Sequence, residues 1–310
     1  MHYSIRHVTR FRYTVPVSES MMEIRMQPRT DAGQRCHSFT LQTIPRALIL
    51  SHRDYSGNIV HHFDIPGRHS QITVTAQALV EIYPVPAIPQ QLADDAWAAL
   101  AQLTAGHEQL DMLLPSQFAQ PTDLLRRLIH EIMPQPAADP LTTLRQLSQG
   151  IFEAFDYAPQ STTVDSPIDE ALLNRRGVCQ DFAHIMIAAA RQLGIPCRYV
   201  SGYLFHRDED HDRSEADATH AWVEALVPDL GWVGFDPTNN LIVGDRHIRV
   251  AIGRDYADVP PTRGVFRGSA GESLDVTVRV IPAAAPPPEE EEPPPRVWEP
   301  PIGDMIDMQQ

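Results

Sequence analysis

The stretch Arg175-Arg176-Gly177-Val178-Cys179-Gln180-Asp181-Phe182-Ala183-His184 constrains this chain more than any other. A cysteine follows a glycine turn and precedes an apolar run, Phe182, Ile185, Met186, Ala189, Ala190 and Leu193. That spacing predicts a buried helix ending at Gly194. A thiol at a helix N-terminus faces unpaired backbone N–H groups and the positive end of the helix dipole, and both favour the nucleophilic thiolate. Two later segments carry what such a thiol needs. Thr219-His220-Ala221-Trp222-Val223-Glu224 alternates like a strand and holds a histidine; Gly231-Trp232-Val233-Gly234-Phe235-Asp236-Pro237-Thr238 is a second short strand ending in an aspartate. In the order Cys179, His220, Asp236, the chain offers a nucleophile, a base and an orienting carboxylate.

These three blocks resemble, in content and order, the signature blocks of bacterial transglutaminase-like proteins, which belong to the papain-like thiol enzyme superfamily. The resemblance is strong over residues 140–260 and reaches the N-terminal region through Tyr3-Ser4-Ile5-Arg6-His7-Val8-Thr9. It implies an α+β fold, a papain-like/transglutaminase-like catalytic core of helices packed on an antiparallel sheet, preceded by a β-sandwich-like domain. It also implies a thiol-dependent amide-bond hydrolase or acyltransferase, such as a cysteine protease or peptidase, working through a Cys-His-Asp triad and an acyl-enzyme. The substrate would be a peptide or protein, with hydrolysis ahead of cross-linking. Two alternatives stand beside this reading: a true protein-glutamine transamidase, and a non-catalytic peptide-binding module. The resemblance further implies a role in peptide tagging, ligation or turnover.

Patterning divides the chain. Residues 1–85 predict a β-rich domain, with strands at 3–13, 22–27, 38–44, 59–65 and 72–83 separated by turn signals. In His61-His62, adjacent strand positions face opposite ways, so one ring belongs in the core and one on the surface. Residues 86–139 predict an extended, proline-rich linker and helical segments at 93–103 and 121–132, the second capped by Thr122-Asp123. Residues 140–281 predict the catalytic domain with C-terminal strands at 247–256 and 274–280, its first helix opened by Asp139-Pro140. Residues 282–310, with Pro286-Pro287-Pro288, Glu289 to Glu292 and Pro293-Pro294-Pro295, predict a disordered tail in which Val297-Trp298 offers a docking motif for a protein partner.

Charge and cysteine content exclude some classes. The net charge is −15; the last thirty residues contribute −6 of it, and a body left at −9 argues against nucleic acid as a partner. No apolar run reaches a membrane span, and the first residues lack a signal-peptide centre. Three cysteines are too few for a disulfide framework, so a cytoplasmic location is expected. All 25 basic residues are arginine. A GC-rich codon bias accounts for this with the fewest assumptions; an acyl-transferring enzyme that avoids offering its own ε-amines is the sharper alternative.

Around the nucleophile, an oxyanion needs donors beyond the Cys179 N–H. Tyr157 is the first candidate and Gln160 the second, although Tyr157 also suits the edge of a core. Asp181 is a cleft candidate that would equally suit a helix N-terminus. His184, five positions past Cys179, falls off its face and reads as packing, and Cys197 reads as structural. Trp222 and Trp232 read as core, and Arg254, Asp255 and Tyr256 are placed no further than the neighbourhood of the cleft. The charged segment 206–212 lacks the spacing of a calcium loop and reads as a solvated hairpin tip. No phosphate loop, zinc-ligand pair or nucleotide fingerprint appears, so neither a cofactor nor a metal is implied.

Overall fold

The computed structural model describes residues 1–207 and 209–285. Residues 286–310, with the acidic run and the Val297-Trp298 motif, lie outside the described residues, as does Asp208.

The chain opens with β1 (His2–Ile24), β2 (Gln34–Ile44), β3 (Leu50–Arg53) and β4 (Ile59–Ile82). The two long strands replace pairs of short ones predicted from the sequence. Pro16 and Pro66-Gly67 each lie inside one continuous strand. β1 and β4 pair with register shifts between Arg12 and Val17 and between Val17 and Glu19, where Glu19 stands opposite Pro66. Proline is tolerated in a sheet at such irregularities, which also bend the strands.

The bend folds the sheet over itself. Phe39 of β2 pairs with Ala78 of β4, while its ring lies 5.1 Å from that of His61. On a straight strand Ala78 and His61 would be about 56 Å apart. The two halves therefore face each other across Phe11, Met22, Ile24, Phe63, Ile72 and Val74, and the domain is sandwich-like. His61 is buried and His62 exposed, as the alternation requires.

After an extended stretch come α1 (Ala96–Thr104), α2 (Leu110–Leu113), α3 (Asp123–Ile132) and α4 (Pro140–Ala154). Thr122 caps α3 by accepting from the Leu125 N–H (3.2 Å), and Asp139 caps α4 by accepting from the Thr142 N–H (3.0 Å) with Pro140 in the first turn. Next are β5 (Asp156–Tyr157), α5 (Ile168–Asn174), β6 (Arg176–Gly177) and α6 (Cys179–Gln192). α6 runs through the core, between α3, α4 and α5 on one side and a five-stranded antiparallel sheet on the other. That sheet comprises β7 (Cys197–Leu204), β8 (His220–Val227), β9 (Gly231–Asp236), β10 (Leu241–Ile242) and β11 (His247–Gly253), in the order β10-β9-β8-β7-β11.

The final strands, β12 (Thr262–Arg267) and β13 (Glu272–Pro282), correct the expected domain boundary. They belong to the N-terminal sheet, where both pair antiparallel with β1. β1 has β4 on one side only, and the returning chain closes the edge that would otherwise be open. Strand periodicity reveals a strand and is silent about which sheet receives it.

The domains also share hydrogen bonds. β11 is an edge strand, and two buried amides from the N-terminal domain stand in for its missing neighbour. Gln34 donates to the Arg249 carbonyl and accepts from the Arg249 N–H, each at 2.8 Å. Asn58 donates to the Ile252 carbonyl (2.9 Å) and accepts from the Ile252 N–H (2.8 Å). Both side chains are 1% exposed. A buried donor or acceptor left without a partner costs about 1–3 kcal/mol. Asn58→Leu, which strands one of each, is expected to lower unfolding stability by about 2 kcal/mol or more in urea titration. A loss within experimental error would show that water reaches this edge.

Candidate active site

The turn into α6 is built around Asp181. Its carboxylate, 2% exposed, accepts the Val178 N–H (2.8 Å) and the Thr162 hydroxyl (2.6 Å). Burial raises its pKa, while the bonds from Thr162 and Val178 act against that. A Cβ at Gly177 would sit 2.8 Å from this carboxylate, so the turn needs glycine there. Asp181 thus caps the helix, its Oδ2 taking both the N-cap N–H and the Thr162 hydroxyl. Cys179 is left as the first helical residue, half-buried, with its N–H among the unpaired donors of the helix start.

Two other features fix this turn. β5 and β6 pair in parallel, Tyr157 beside Gly177, and the Ala158 N–H donates to the Gly177 carbonyl (2.9 Å). Tyr157 is thereby set next to Cys179; burial first, then the charge of Cys179, raises its pKa, while the Glu215 backbone acts against that. Gln160 stands exposed on a turn with φ of 63°. At the far end of α6, Arg191 is 8% exposed and donates to the carbonyls of Met112, Leu114, Cys197 and Arg254 and to the Ser116 hydroxyl. His184 accepts the Tyr256 N–H (3.1 Å) and stacks on Phe118, with its pKa lowered to about 3 by burial and by Arg191. It is a packing residue. Asp255 accepts the N–H groups of Phe118 and Ala257, and Arg254 pairs with Asp258, so this cluster braces the helix away from Cys179.

His220 opens β8 and Asp236 ends β9, and the sheet brings them together at one end. His220 Nε2 donates to Asp236 Oδ2 at 2.8 Å, with both side chains buried. The other ring nitrogen, Nδ1, is buried with no hydrogen-bond partner, sulfur included. Cys179 nevertheless acts on the imidazole and raises its pKa. Burial alone would lower the His220 pKa; the charge and hydrogen bond of Asp236, followed by Cys179, override it and raise the value to about 10. For Asp236, burial is outweighed by His220 and then His247, which hold the carboxylate well below its usual range.

Asp236 accepts more than the imidazole. Its Oδ1 takes the N–H groups of Thr238 (3.0 Å) and Asn239 (3.3 Å), and its Oδ2 takes the Asn239 amide (2.9 Å) and His247 Nε2 (3.2 Å). The bonds to Thr238 and Asn239 are those of an Asx turn, a pattern readable in Asp236-Pro237-Thr238-Asn239. His247 carried no such signal. β11 lies three places from β9 in the sheet, about 14 Å away if the sheet were flat. The sheet curls around Trp222, whose ring meets His247 edge-on at 5.2 Å, and so delivers the second imidazole to the carboxylate. A Cβ at Gly202 would strike that indole and the Ile248 carbonyl, which makes the glycine a condition of the curl.

Asp210 and Asp212 of the charged segment are not free in solvent, although Glu209 and His211 are exposed. Arg246, 8% exposed, pairs with Asp210 (2.9 Å) and Asp212 (2.6 Å), partners that only the folded sheet brings together. Asn239 then holds the following residues by accepting the N–H groups of Arg213 and Ser214. Elsewhere, a cavity of about 520 Å³ lies between the domains, lined by Arg29, Tyr83, Arg198, Trp232 and His247; Cys179 is not in its wall. Trp222 is core, whereas Trp232 carries Arg198 over its ring at 4.2 Å. Cys197 is fully buried, with its pKa raised to about 12.

A buried helix that starts at a cysteine and packs on an antiparallel sheet carrying a histidine and a carboxylate is the papain-like class of fold. Residues 127–237 match the transglutaminase-like superfamily, and residues 3–81 match the bacterial transglutaminase-like N-terminal region. An uncharacterized protein of Mycobacterium tuberculosis is 35% identical over 302 residues, covering 90% of this chain and 92% of the relative. An uncharacterized protein of Mycobacterium leprae is 31% identical over 275 residues, covering 88% and 96%. The chain belongs to the transglutaminase-like superfamily. A solved structure from Cytophaga hutchinsonii shares the fold, with a TM-score of 0.71 at 20% identity over 93% of each chain. A protein-glutamine gamma-glutamyltransferase of Pseudomonas aeruginosa is 31% identical over 116 residues, 34% of this chain and 16% of that protein.

The folded chain holds the His220 proton more tightly than the unfolded chain does. The resulting stabilisation is complete below about pH 6.5 and is lost as pH rises towards 10. In Asp236→Asn, burial is no longer opposed by a carboxylate, and the His220 pKa is expected to fall below 6.5 in an NMR titration of the ring. A value still near 10 would mean that Asp236 is not what holds the proton.

Proposed function

We propose that this protein is a thiol-dependent amide hydrolase acting on peptide or protein substrates, with Cys179 as nucleophile, His220 as acid and base, and Asp236 as the group that orients and charges the imidazole. The observation that carries this reading is the divided imidazole: Nε2 is committed to a buried carboxylate, while Nδ1 is buried and unpartnered on a ring whose pKa Cys179 raises.

The steps follow from that geometry. Cys179 sulfur attacks the amide carbonyl carbon, and the carbonyl π pair moves onto oxygen. The N–H of Cys179 faces this oxyanion, and Tyr157, beside the thiol, is the side chain offered as second donor. His220 Nδ1 gives its proton to the leaving amine as the C–N bond breaks, leaving a thioester. A water then attacks the thioester and passes a proton back to Nδ1, and the thiolate departs. A carboxylate held ionised throughout keeps Nε2–H in place, so the proton moves only on the side facing the thiol.

A second reading, transfer of the acyl group to an amine, is favoured by the likeness to the Pseudomonas aeruginosa glutamyltransferase. It uses the same thioester and differs only in what attacks it. The location is proposed as cytoplasmic; among the described residues no helix is long and apolar enough to cross a membrane.

Iodoacetamide at pH 6 tests the ion pair. Burial raises the pKa of Cys36 to about 11, with the Ser38 backbone bond opposing, and that of Cys197 to about 12. Cys179 is therefore expected to alkylate at least about tenfold faster than either, and to lose that advantage in His220→Ala. Equal, slow labelling of all three would favour a binding module. Intact-mass trapping with glutamine-containing peptides, with and without a primary amine, identifies the acceptor: adducts resolving to amine-bearing product would replace hydrolysis with transamidation. Asp236→Asn is expected to reduce kcat by about 10⁴-fold.

A further inference from the structure

We infer that the outer face of the N-terminal sheet holds a divalent transition-metal site formed by His2, His37 and Glu81, a site independent of Cys179 and its partners.

The three residues come from three adjacent strands. β4 lies between β1 and β2, and Glu81 stands near its end, directly opposite His2 of β1. On the other side, β2 pairs with β4 with a register shift between Cys36 and Ser38, which leaves His37 as the extra residue. Bulges of this kind re-aim a side chain. The ring of His37 comes to lie beside Glu81, on the face turned away from the core that Tyr3, Val80 and Ile82 enter.

The donor geometry is that of a metal site. One carboxylate oxygen, Oε2, is 3.1 Å from His37 Nε2, and the other, Oε1, is 3.8 Å from His2 Nε2. The three ligand atoms all lie within 4.8 Å of one another. Nitrogen and oxygen donors about 2.0–2.1 Å from a tetrahedral zinc ion stand about 3.3 Å apart, so these atoms need only small rotations to share one ion. The imidazole rings face each other with centroids 5.9 Å apart and planes inclined by 30°. The side chains are 21%, 15% and 30% exposed for His2, His37 and Glu81, so the open side admits water as a further ligand. The neighbouring thiol is not part of the set, since Cys36 Sγ donates to the Ser38 carbonyl.

Two imidazoles and a carboxylate select zinc and its first-row neighbours over calcium or magnesium, which take oxygen. A metal here would join β1 and β2 across β4, close to where β4 leaves the sheet for the interdomain stretch.

The test is zinc binding to the full chain, freed of any histidine tag, by equilibrium dialysis and metal analysis. Thermal unfolding is measured with and without zinc. Wild type is expected to retain one equivalent and to unfold at higher temperature with zinc. Glu81→Gln and His37→Ala should bind at least about tenfold more weakly and lose the zinc-dependent shift, while their zinc-free melting stays that of wild type. His247→Ala serves as the control for the other buried cluster, His220, Asp236 and His247. Unchanged binding in Glu81→Gln and His37→Ala overturns the inference. So does loss confined to His247→Ala, or a wild type that retains no zinc. None of these outcomes bears on the alkylation of Cys179.

Discussion

The structure turns on a carboxylate with no access to water. Removing an ionised group from solvent costs several kcal/mol even after relaxation. Asp236 is 0% exposed and remains charged because five donors converge on it: two imidazoles, two backbone N–H groups and the Asn239 amide. Each donor imposes something on the chain. The backbone pair requires the Asp-Pro-Thr-Asn turn after β9. The Asn239 amide ties the 213–214 segment to that turn. His247 requires the sheet to curl until β11 reaches the carboxylate, and the curl requires glycine at 202 against Trp222. Ordinary sheet geometry is in these respects the solvation shell of one anion.

That requirement explains which parts of the site could be read from the sequence. Cys179, His220 and Asp236 each sit at the start or end of a strongly patterned element, and a glycine turn marks the first and an Asp-Pro step the last. The caps Thr122 and Asp139 were legible for the same reason: the side chain and the N–H it accepts are three residues apart. Asp181 was ambiguous because a buried acid near a nucleophile has two local uses, and only the positions of Val178 and Thr162 decide between them. His247, Arg246 and Gln34 carried no local sign. Their partners are 11, 34 and 215 residues away, and nothing in a strand's periodicity records contacts across a sheet or between domains.

The N-terminal strands fail in the opposite direction. Proline and glycine at 16, 66 and 67 lie in the gaps between the short strands expected from the pattern. Here the missing N–H and the freedom of Gly67, with φ of 88°, fall where two long strands bend, so the backbone continues through signals that ordinarily stop it. The placement of β12 and β13 was equally illegible, since the edge they cover belongs to the first strand of the chain.

Together these features make the N-terminal domain part of the machinery it precedes. β11 carries His247 to Asp236, and β11 is an edge strand whose outer hydrogen bonds are supplied by Gln34 and Asn58. The backbone of Arg249, two residues from His247, is held at both its N–H and its carbonyl by one glutamine. An edge held only by water would be free to fray, and fraying there would withdraw a donor from the carboxylate that keeps His220 charged. The folded-over sheet therefore does more than accompany the papain-like core. By pinning one strand it fixes the position of an imidazole, and through that imidazole it sustains the charge of Asp236, which in turn holds the proton of His220.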